Sequence, residues 1–286
     1  MKEHKVIIVD LNQVMISTLM VQIGNHKNIK IEEDIIRHMV LNALRAHKVR
    51  FTEEFGEMVI ACDDKNYWRK QVYPYYKANR KKERDASELD WNAVFETLNK
   101  IREELKTNFP YKVIQIDHAE ADDIIATLVK EYHYREKILI LSGDKDFGQL
   151  QKYPNVKQYS PVLKKYITCT NPEMFLKEHI MKGDSSDGIP NFLSADNVFI
   201  TATRQSPVTS KKLSAWILQE PEEFCNETML RNYKRNQQLI DLECIPEDIS
   251  KQVLYQYDNQ KKDRSKLFNY FVEYKLKNLM ACVGDF

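Results

Sequence analysis

The sequence predicts an α/β fold: a central, mostly parallel sheet flanked by helices, followed by a helical region. Three observations lead there. Val6-Ile7-Ile8-Val9, Met58-Val59-Ile60-Ala61-Cys62, Val113-Ile114-Gln115-Ile116 and Ile138-Leu139-Ile140-Leu141 are continuous β-branched and aliphatic runs, the signature of strands buried on both faces. Helical patterns alternate with them, as parallel crossovers require. After about Asn171 the strand signals stop.

In chain order, residues 5–10 form the first strand. Ile31, Ile35, Ile36, Met39, Val40, Ala43 and Leu44 recur at helical spacing and predict a helix near 31–47. The second strand is 57–62. Residues 65–84 change character: eight Lys/Arg stand against one acid, Glu83, with Tyr67, Trp68, Tyr73, Tyr75 and Tyr76 interleaved. A helix over about 88–107 carries Leu89, Val94, Leu98, Ile101 and Leu105. Strand 112–116, helix 119–132 and strand 137–141 follow, then a short helix after Asp146. Residues 155–168 alternate as a hairpin around Pro161. Asn171-Pro172-Glu173 supplies a helix cap with proline at the first helical position, and Gly183 supplies the stop. Helices at 209–219, 221–243, 246–258 and 263–282 complete the chain. The expected division is an α/β domain over 1–182 and a helical domain over 183–286 packed on it.

The 286 residues, 43% hydrophobic, suffice for a sizeable core. A net charge of +1 announces no polyanion partner globally, so any electrostatic attraction must be local. Seven glycines, with neither GxGxxG nor GxxxxGK[ST], argue against glycine-rich nucleotide folds. Cys62, Cys169, Cys225, Cys244 and Cys282 are scattered and read as reduced thiols of a cytosolic protein. No apolar run approaches the roughly 18 residues of a membrane span, and the start leads straight into a strand; neither signal peptide nor membrane segment is expected.

The chemistry lies in the acids. Asp10 and Asp63 close the first two strands, Glu120 and Asp122 open a helix, and Asp144 and Asp146 follow the fourth strand. Asp184 and Asp187 come later, in Gly-Asp-Ser-Ser-Asp-Gly. A lone Asp after a strand is usually a turn or cap residue. Glu120, Asp122 and Asp123 could equally serve a helix dipole. Asp63 and Asp64 compete for one role, with Asp63 directly after the apolar run. Asp144-Lys-Asp146 fails the calcium-loop pattern, having Gly148 and Gln149 in its fifth and sixth places. Four strands delivering acids to one edge would nevertheless gather charges that repel and protonate without cations. Oxygen ligands with no nearby His or Cys favour magnesium first and manganese next. Two such ions suit phosphodiester hydrolysis.

A basic run is most often a solvated face. The run at 65–84 would instead overhang the acids, with Lys77 and Arg80 sharing a helix face. There it could grip phosphate and stack bases, drawing a polyanion to an acidic site.

Several motifs occur together: Val-Asp10-Leu-Asn-Gln, Tyr-Trp-Arg69, Tyr75-Tyr76-Lys77-Ala-Asn-Arg80, Glu120-Ala-Asp122-Asp123, Ser-Gly-Asp144-Lys-Asp146-Phe-Gly-Gln-Leu and Gly183-Asp184-Ser-Ser-Asp187. In this order, and with Asn232-Tyr-Lys-Arg-Asn-Gln-Gln-Leu and Phe268-Asn-Tyr-Phe-Val, they resemble the 5′-nuclease (flap endonuclease) superfamily over nearly the whole chain. The resemblance implies a PIN-like core with a basic helical arch at about 65–90. It implies a metal-dependent 5′→3′ exonuclease and ribonuclease H with flap endonuclease activity, using two Mg2+ per site with Mn2+ able to substitute. Its role would be removing RNA primers and adjacent DNA from lagging-strand fragments in phage replication. One metal would sit among Asp10, Asp63, Glu120, Asp122 and Asp144, with Asp123 a further candidate, and the other nearer Asp146, Asp184 and Asp187. Tyr76, Lys77 and Arg80 would act at the scissile phosphate. Arg69, Lys70, Lys81, Lys211 and Lys212 would join Lys77 and Arg80 in binding nucleic acid. Residues 184–205 would form a helix–turn–helix element. The family's glycine-rich hairpin after Ile-Pro is replaced here by Ile189-Pro190-Asn191-Phe192-Leu193-Ser194, so duplex gripping should rest on side chains.

Expected partners are RNA–DNA hybrid and 5′-flapped or nicked duplex DNA. A phage single-strand-binding protein and a sliding clamp are candidate protein partners of a monomer in the cytoplasm of the infected host. The rival readings are a PIN-like endoribonuclease, which would need neither the basic segment nor the helical half, and a non-catalytic binder of DNA structures.

Overall fold

A computed structural model describes residues 4–24, 32–87 and 89–286; Ile31 and Glu88 of the sequence reading lie outside them. Strand β1 (His4–Asp10) runs directly into α1 (Leu11–Gly24), and α2 (Glu33–Phe55) leads to β2 (Glu57–Cys62). The basic segment holds α3 (Arg69–Val72) and α4 (Asn79–Asp85), followed by α5 (Trp91–Asn108). Then come β3 (Lys112–Gln115), α6 (Ala121–Tyr132), β4 (Glu136–Leu141), a 3-10 segment (Lys145–Lys152), β5 (Val156–Ser160), β6 (Lys165–Ile167) and α7 (Pro172–Lys182). The remainder is helical: α8 (Ser210–Trp216), α9 (Pro221–Phe224), α10 (Glu227–Ile240), α11 (Glu247–Asn259), α12 (Leu267–Glu273) and α13 (Lys277–Met280).

The six strands form one sheet in the order β3-β2-β1-β4-β5-β6. All pairs are parallel except β5–β6, the expected hairpin. Because β2 lies on one side of β1 and β4 on the other, the chain reverses its winding at β1, and ligands of such sheets collect beyond that point. The register aligns the ends: Asp10 pairs with Ala61 and Val9 with Leu141. The C-terminal edges of the three central strands therefore come level.

Each face of the sheet buries a core. On one, Ile7, Val9, Ile60 and Leu139 pack with α1, α2 and α5, and the end of the chain returns there through Leu267, Phe271 and Phe286. On the other, Ile8, Val59, Ile114 and Ile140 meet α6 and α11. A third cluster joins Tyr73 and Tyr76 of the basic segment to α7 and α10. The helical half is thus distributed around the sheet, not gathered into one body.

Four expectations need correction. Helix α1 has no counterpart in the sequence reading, although Leu11, Val14, Met15 and Leu19 are buried at helical spacing. Helix α2 continues past residue 47 to Phe55, where Gly56 takes a left-handed φ of +70° and donates to the Thr52 carbonyl. The expected helices at 221–243 and 263–282 are each broken. Asn226 caps a new helix by accepting from the Met229 amide, and Lys275 has a φ of +54°. No helix forms between α7 and α8, so the helix–turn–helix at 184–205 is absent. Asn191 Oδ1 accepts from the Leu193 amide and the Ser194 hydroxyl, offering the backbone a local alternative to helix beside Pro190. Asn232 and Asn236 of α10 then bond the carbonyls of Phe192, Ser194 and Pro190, fixing the loop in that form.

Candidate metal centre and its basic flank

The sheet's C-terminal edge carries the acids. Asp10 is 6% exposed, and its carboxylate accepts from the Gln13 amide in α1 (3.0 Å) and from the Ser142 hydroxyl beyond β4 (3.0 Å). Asp63, just past β2, accepts from Asn12 Nδ2 (2.6 Å) and from the Ala121 amide at the start of α6 (2.7 Å). Asp64 turns away, accepting from the His118 amide at 2.9 Å, which separates the two competitors. Asp144 caps the 3-10 segment through the Asp146 amide (3.0 Å). Asp10, Asp63, Asp122 and Asp144 border a cavity of about 1080 Å³ that Tyr67, Lys77 and Arg80 also line.

Their electrostatics are those of a site short of positive charge. Burial, then Asp63, pushes the Asp10 carboxyl up to about 7. Burial, then Asp146, pushes Asp144 up to about 6. Asp122 is driven well above the carboxylate range by burial and Asp144, and burial raises Asp63 as well. A divalent cation would reverse these shifts, and the donors facing the cavity are hard oxygens, so the residues fit such an ion. Glu120 behaves oppositely. Burial opposes its charge, but Lys77 and Arg69 outweigh burial and hold it down at about 2.

The basic segment is latched across this edge. Lys77 Nζ pairs with Glu120 and lies 3.7 Å from Asp187. Arg80 pairs with Asp187, and its Nε donates to the Ser186 carbonyl at 3.1 Å. The Lys77 amide donates to the Asp187 carbonyl at 2.7 Å. The chain can approach this closely because residue 188 is glycine: a Cβ there would sit 3.0 Å from the Tyr75 carbonyl oxygen, at a φ of +71°.

Several sequence-predicted roles change. Lys77 itself has a φ of +56° and precedes α4, so it shares no helix face with Arg80; the two meet on Asp187 instead. Tyr76 is 2% exposed and donates to Glu120 and Asp187, leaving no face to stack a base. Arg69 is 3% exposed and lies 2.9 Å from Glu120 and 2.8 Å from Asp123, so it is a structural cation, not a surface contact for phosphate. Asp123 accepts from the Glu120 amide (2.9 Å) and Trp68 Nε1 (3.1 Å), which turns it from the cavity into the protein. Lys70 and Lys81 are exposed, as are Lys211 and Lys212 on α8.

Beside the first cluster stands a second that the sequence reading did not complete. His179, on the last turn of α7, places Nε2 2.9 Å from Asp146 and 3.5 Å from Asp184. Asp184 also receives Lys145 Nζ (2.9 Å) and the Ser186 amide (2.8 Å). Burial works against the Asp184 charge, yet Ser186 and Lys145 bring it down to about 2. His179 lies 33 positions from Asp146, so only the fold unites them.

Comparison with known proteins settles the family. A model of the 5′-3′ exonuclease N-terminal resolvase-like domain matches residues 6–180, and one of the T4 RNase H C-terminal region matches residues 170–286. The chain is 34% identical to ribonuclease H of Enterobacteria phage T4, over 98% of this chain and 95% of the phage protein. The chain belongs to the 5′-3′ exonuclease family. As a member of it the protein is a nuclease, a phosphodiester hydrolase. Flap endonuclease Xni of a Shewanella strain is 33% identical over 44% of this chain and 48% of its own length. The fold is also that of the bacteriophage T5 flap endonuclease solved with DNA and metal ions, at a TM-score of 0.62 and 17% identity, covering 89% of this chain and 99% of that one. Among the described residues, no helix is long and apolar enough to cross a membrane.

Proposed function

We propose that this nuclease removes RNA primers and adjacent DNA from a 5′ end during phage DNA replication, acting as a 5′→3′ exonuclease and ribonuclease H with flap endonuclease activity. The reading rests on one observation above others: at the switch point of the sheet, carboxylates whose ionisation is opposed by burial and by one another face a cavity that Lys77 and Arg80 also line. Asp10, Asp63, Asp122 and Asp144 would hold one Mg2+, and Asp146, Asp184 and Asp187 a second. When bound, such ions activate a water and stabilise the leaving oxygen of a phosphodiester. The protein's own groups do the remaining work. Ser142, Asn12 and the Gln13 and Ala121 amides orient the carboxylates. Tyr76 and Arg69 fix Glu120. Lys77 and Arg80, which neutralise Glu120 and Asp187 in the free protein, can redirect their donors to a phosphate that brings its own negative charge. Exposed Lys70, Lys81, Lys211 and Lys212 would follow the duplex backbone.

The test is a panel of labelled nicked RNA–DNA hybrid, 5′ flap, single strand and blunt duplex, with Mg2+, Mn2+ or chelator. Release of products from the 5′ end of hybrid and flap, abolished by chelator, is expected. Internal cleavage of RNA without need of a 5′ end would support a PIN-like endoribonuclease. Duplex binding without cleavage in any divalent metal would sink the assignment.

A further inference from the structure

We infer that His179 is a nitrogen ligand of the metal held by Asp146 and Asp184, making the second site a mixed nitrogen–oxygen site that favours manganese over magnesium. The inference rests on reading those two aspartates as ligands, and goes beyond it by changing the donor set and hence the metal preferred.

The geometry is that of donors around one ion. Nε2 of His179 and one carboxylate oxygen each of Asp146 and Asp184 all lie within 4.8 Å of one another, the sole such trio of His, Cys, Asp and Glu among the described residues. Two of the separations are 2.9 and 3.5 Å. Ligands about 2.1 Å from a common ion stand about 3 Å apart when adjacent in an octahedron, so little movement is needed to admit one.

The ring is also held in place. His179 is 6% exposed and lies against Phe175, with ring centroids 5.8 Å apart. The helix that carries it ends at Gly183, whose φ is +67° and where a Cβ would come within 2.5 Å of Pro190 backbone atoms. The imidazole therefore enters the site from a fixed helix end, not from a mobile loop. Charge pairing with the two carboxylates alone does not account for the ring's position. Lys145 already supplies Asp184 with a cation at 2.9 Å, which leaves a second positive partner there less necessary.

The chemistry follows from donor type. Mg2+ keeps oxygen ligands and its own waters, whereas imidazole is a ligand of first-row transition metals, of which Mn2+ is the one that also suits carboxylate and water. The first cluster brings only carboxylates to the cavity, so one protein would carry two sites of different preference.

The experiment uses the full chain loaded with substoichiometric Mn2+. Pulsed electron paramagnetic resonance should detect nitrogen coupled to the metal, and the pattern should change when histidine is supplied with 15N. His179→Gln should remove the coupling and weaken one Mn2+ site by about 10- to 100-fold, as losses around a metal commonly do, with a smaller change for Mg2+. Bound Mn2+ without nitrogen coupling in the unaltered protein overturns the inference and leaves the oxygen-only site standing. Coupling that persists in His179→Gln assigns the nitrogen elsewhere and also overturns it. If no Mn2+ binds at all, the metal reading of Asp146 and Asp184 fails together with this one. The isotope arm needs no variant, so misfolding of His179→Gln cannot protect the idea.

Discussion

Arg69→Ala should destabilise the protein heavily while sparing its surface for nucleic acid. The guanidinium is 3% exposed, donates to the Leu239 carbonyl (2.9 Å) and to Glu120 (2.9 Å), and lies 2.8 Å from Asp123. Removing one partner of a buried ion pair costs about 3–5 kcal/mol, because the other charge stays buried. Two features locate the value within that range. Glu120 keeps Lys77 and Tyr76, which softens its loss. Asp123 Oδ1 makes no hydrogen bond of its own, so its compensation is the contact with Arg69. A net cost of about 3–4 kcal/mol results, and for a chain of 286 residues with an unfolding entropy of about 2.1 cal/mol/K per residue it should lower the melting temperature by about 5–7 °C. Arg69→Lys keeps the charge but not the fork that spans two carboxylates, and should fall between. The assay is denaturant unfolding in chelator, with duplex affinity measured in calcium well below the melting temperature. An Arg69→Ala protein within about 0.5 kcal/mol of wild type, a change typical of surface sites, but with weakened duplex binding, would refute the burial reasoning and restore Arg69 to the nucleic-acid surface.

Asp10→Asn should behave in the opposite sense. The folded carboxyl is raised to about 7 from 3.8, so the native state holds a proton that the unfolded chain gives up across that interval. Its stabilising contribution is complete below about pH 4 and is lost as pH rises to about 7. In chelator, Asp10→Asn should therefore melt higher than wild type at pH 8, with little difference at pH 4, and be inactive in Mg2+; a lower melting point at pH 8 would contradict the crowding of the acids. Lys77→Ala and Arg80→Ala should each cut single-turnover cleavage by about 10²-fold, the loss expected of one transition-state donor, with smaller changes in calcium-supported binding. Lys81→Ala, on the exposed side of α4, should show only a mild, salt-like loss; equal, small effects in all three would reduce the segment to a charged surface.

What the sequence disclosed follows a physical division. Strands β1, β2 and β4 are continuous apolar runs that end in or lead to a carboxylate, so Asp10, Asp63 and Asp144 could be found locally, and the parallel sheet brings them level. Helix α7 was equally legible because cap, first-turn proline and terminal glycine are local signals. The errors concern which partner a charged or polar side chain meets across the fold. Arg69 looks like its exposed neighbour Lys70, until Glu120, 51 positions away, and the Leu239 carbonyl, 170 away, enclose it. Asp123 looks like Asp122, but one helical step of about 100° turns it from the cavity onto Trp68 and Arg69. His179 carried no signal, being a lone histidine on an ordinary amphipathic helix until the fold set it between two aspartates.

The same rule governs both outcomes. Among the described residues, buried charges such as Arg37, Arg69, Glu104, Glu120 and Asp123 are paired across the fold, and the local sequence indicates only which charges exist. The exceptions are the carboxylates at the switch point, gathered faster than the fold supplies cations for them, and that surplus is the most direct mark of the site. Glu120 and Asp187 draw Lys77 and Arg80 inward as partial payment. On the proposed function a substrate phosphate would compete for those same two cations, so the basic segment would serve as a catalytic flank and a structural counter-charge at once. Strengthening its hold on Glu120 should therefore stabilise the free protein at the expense of its affinity for the transition state.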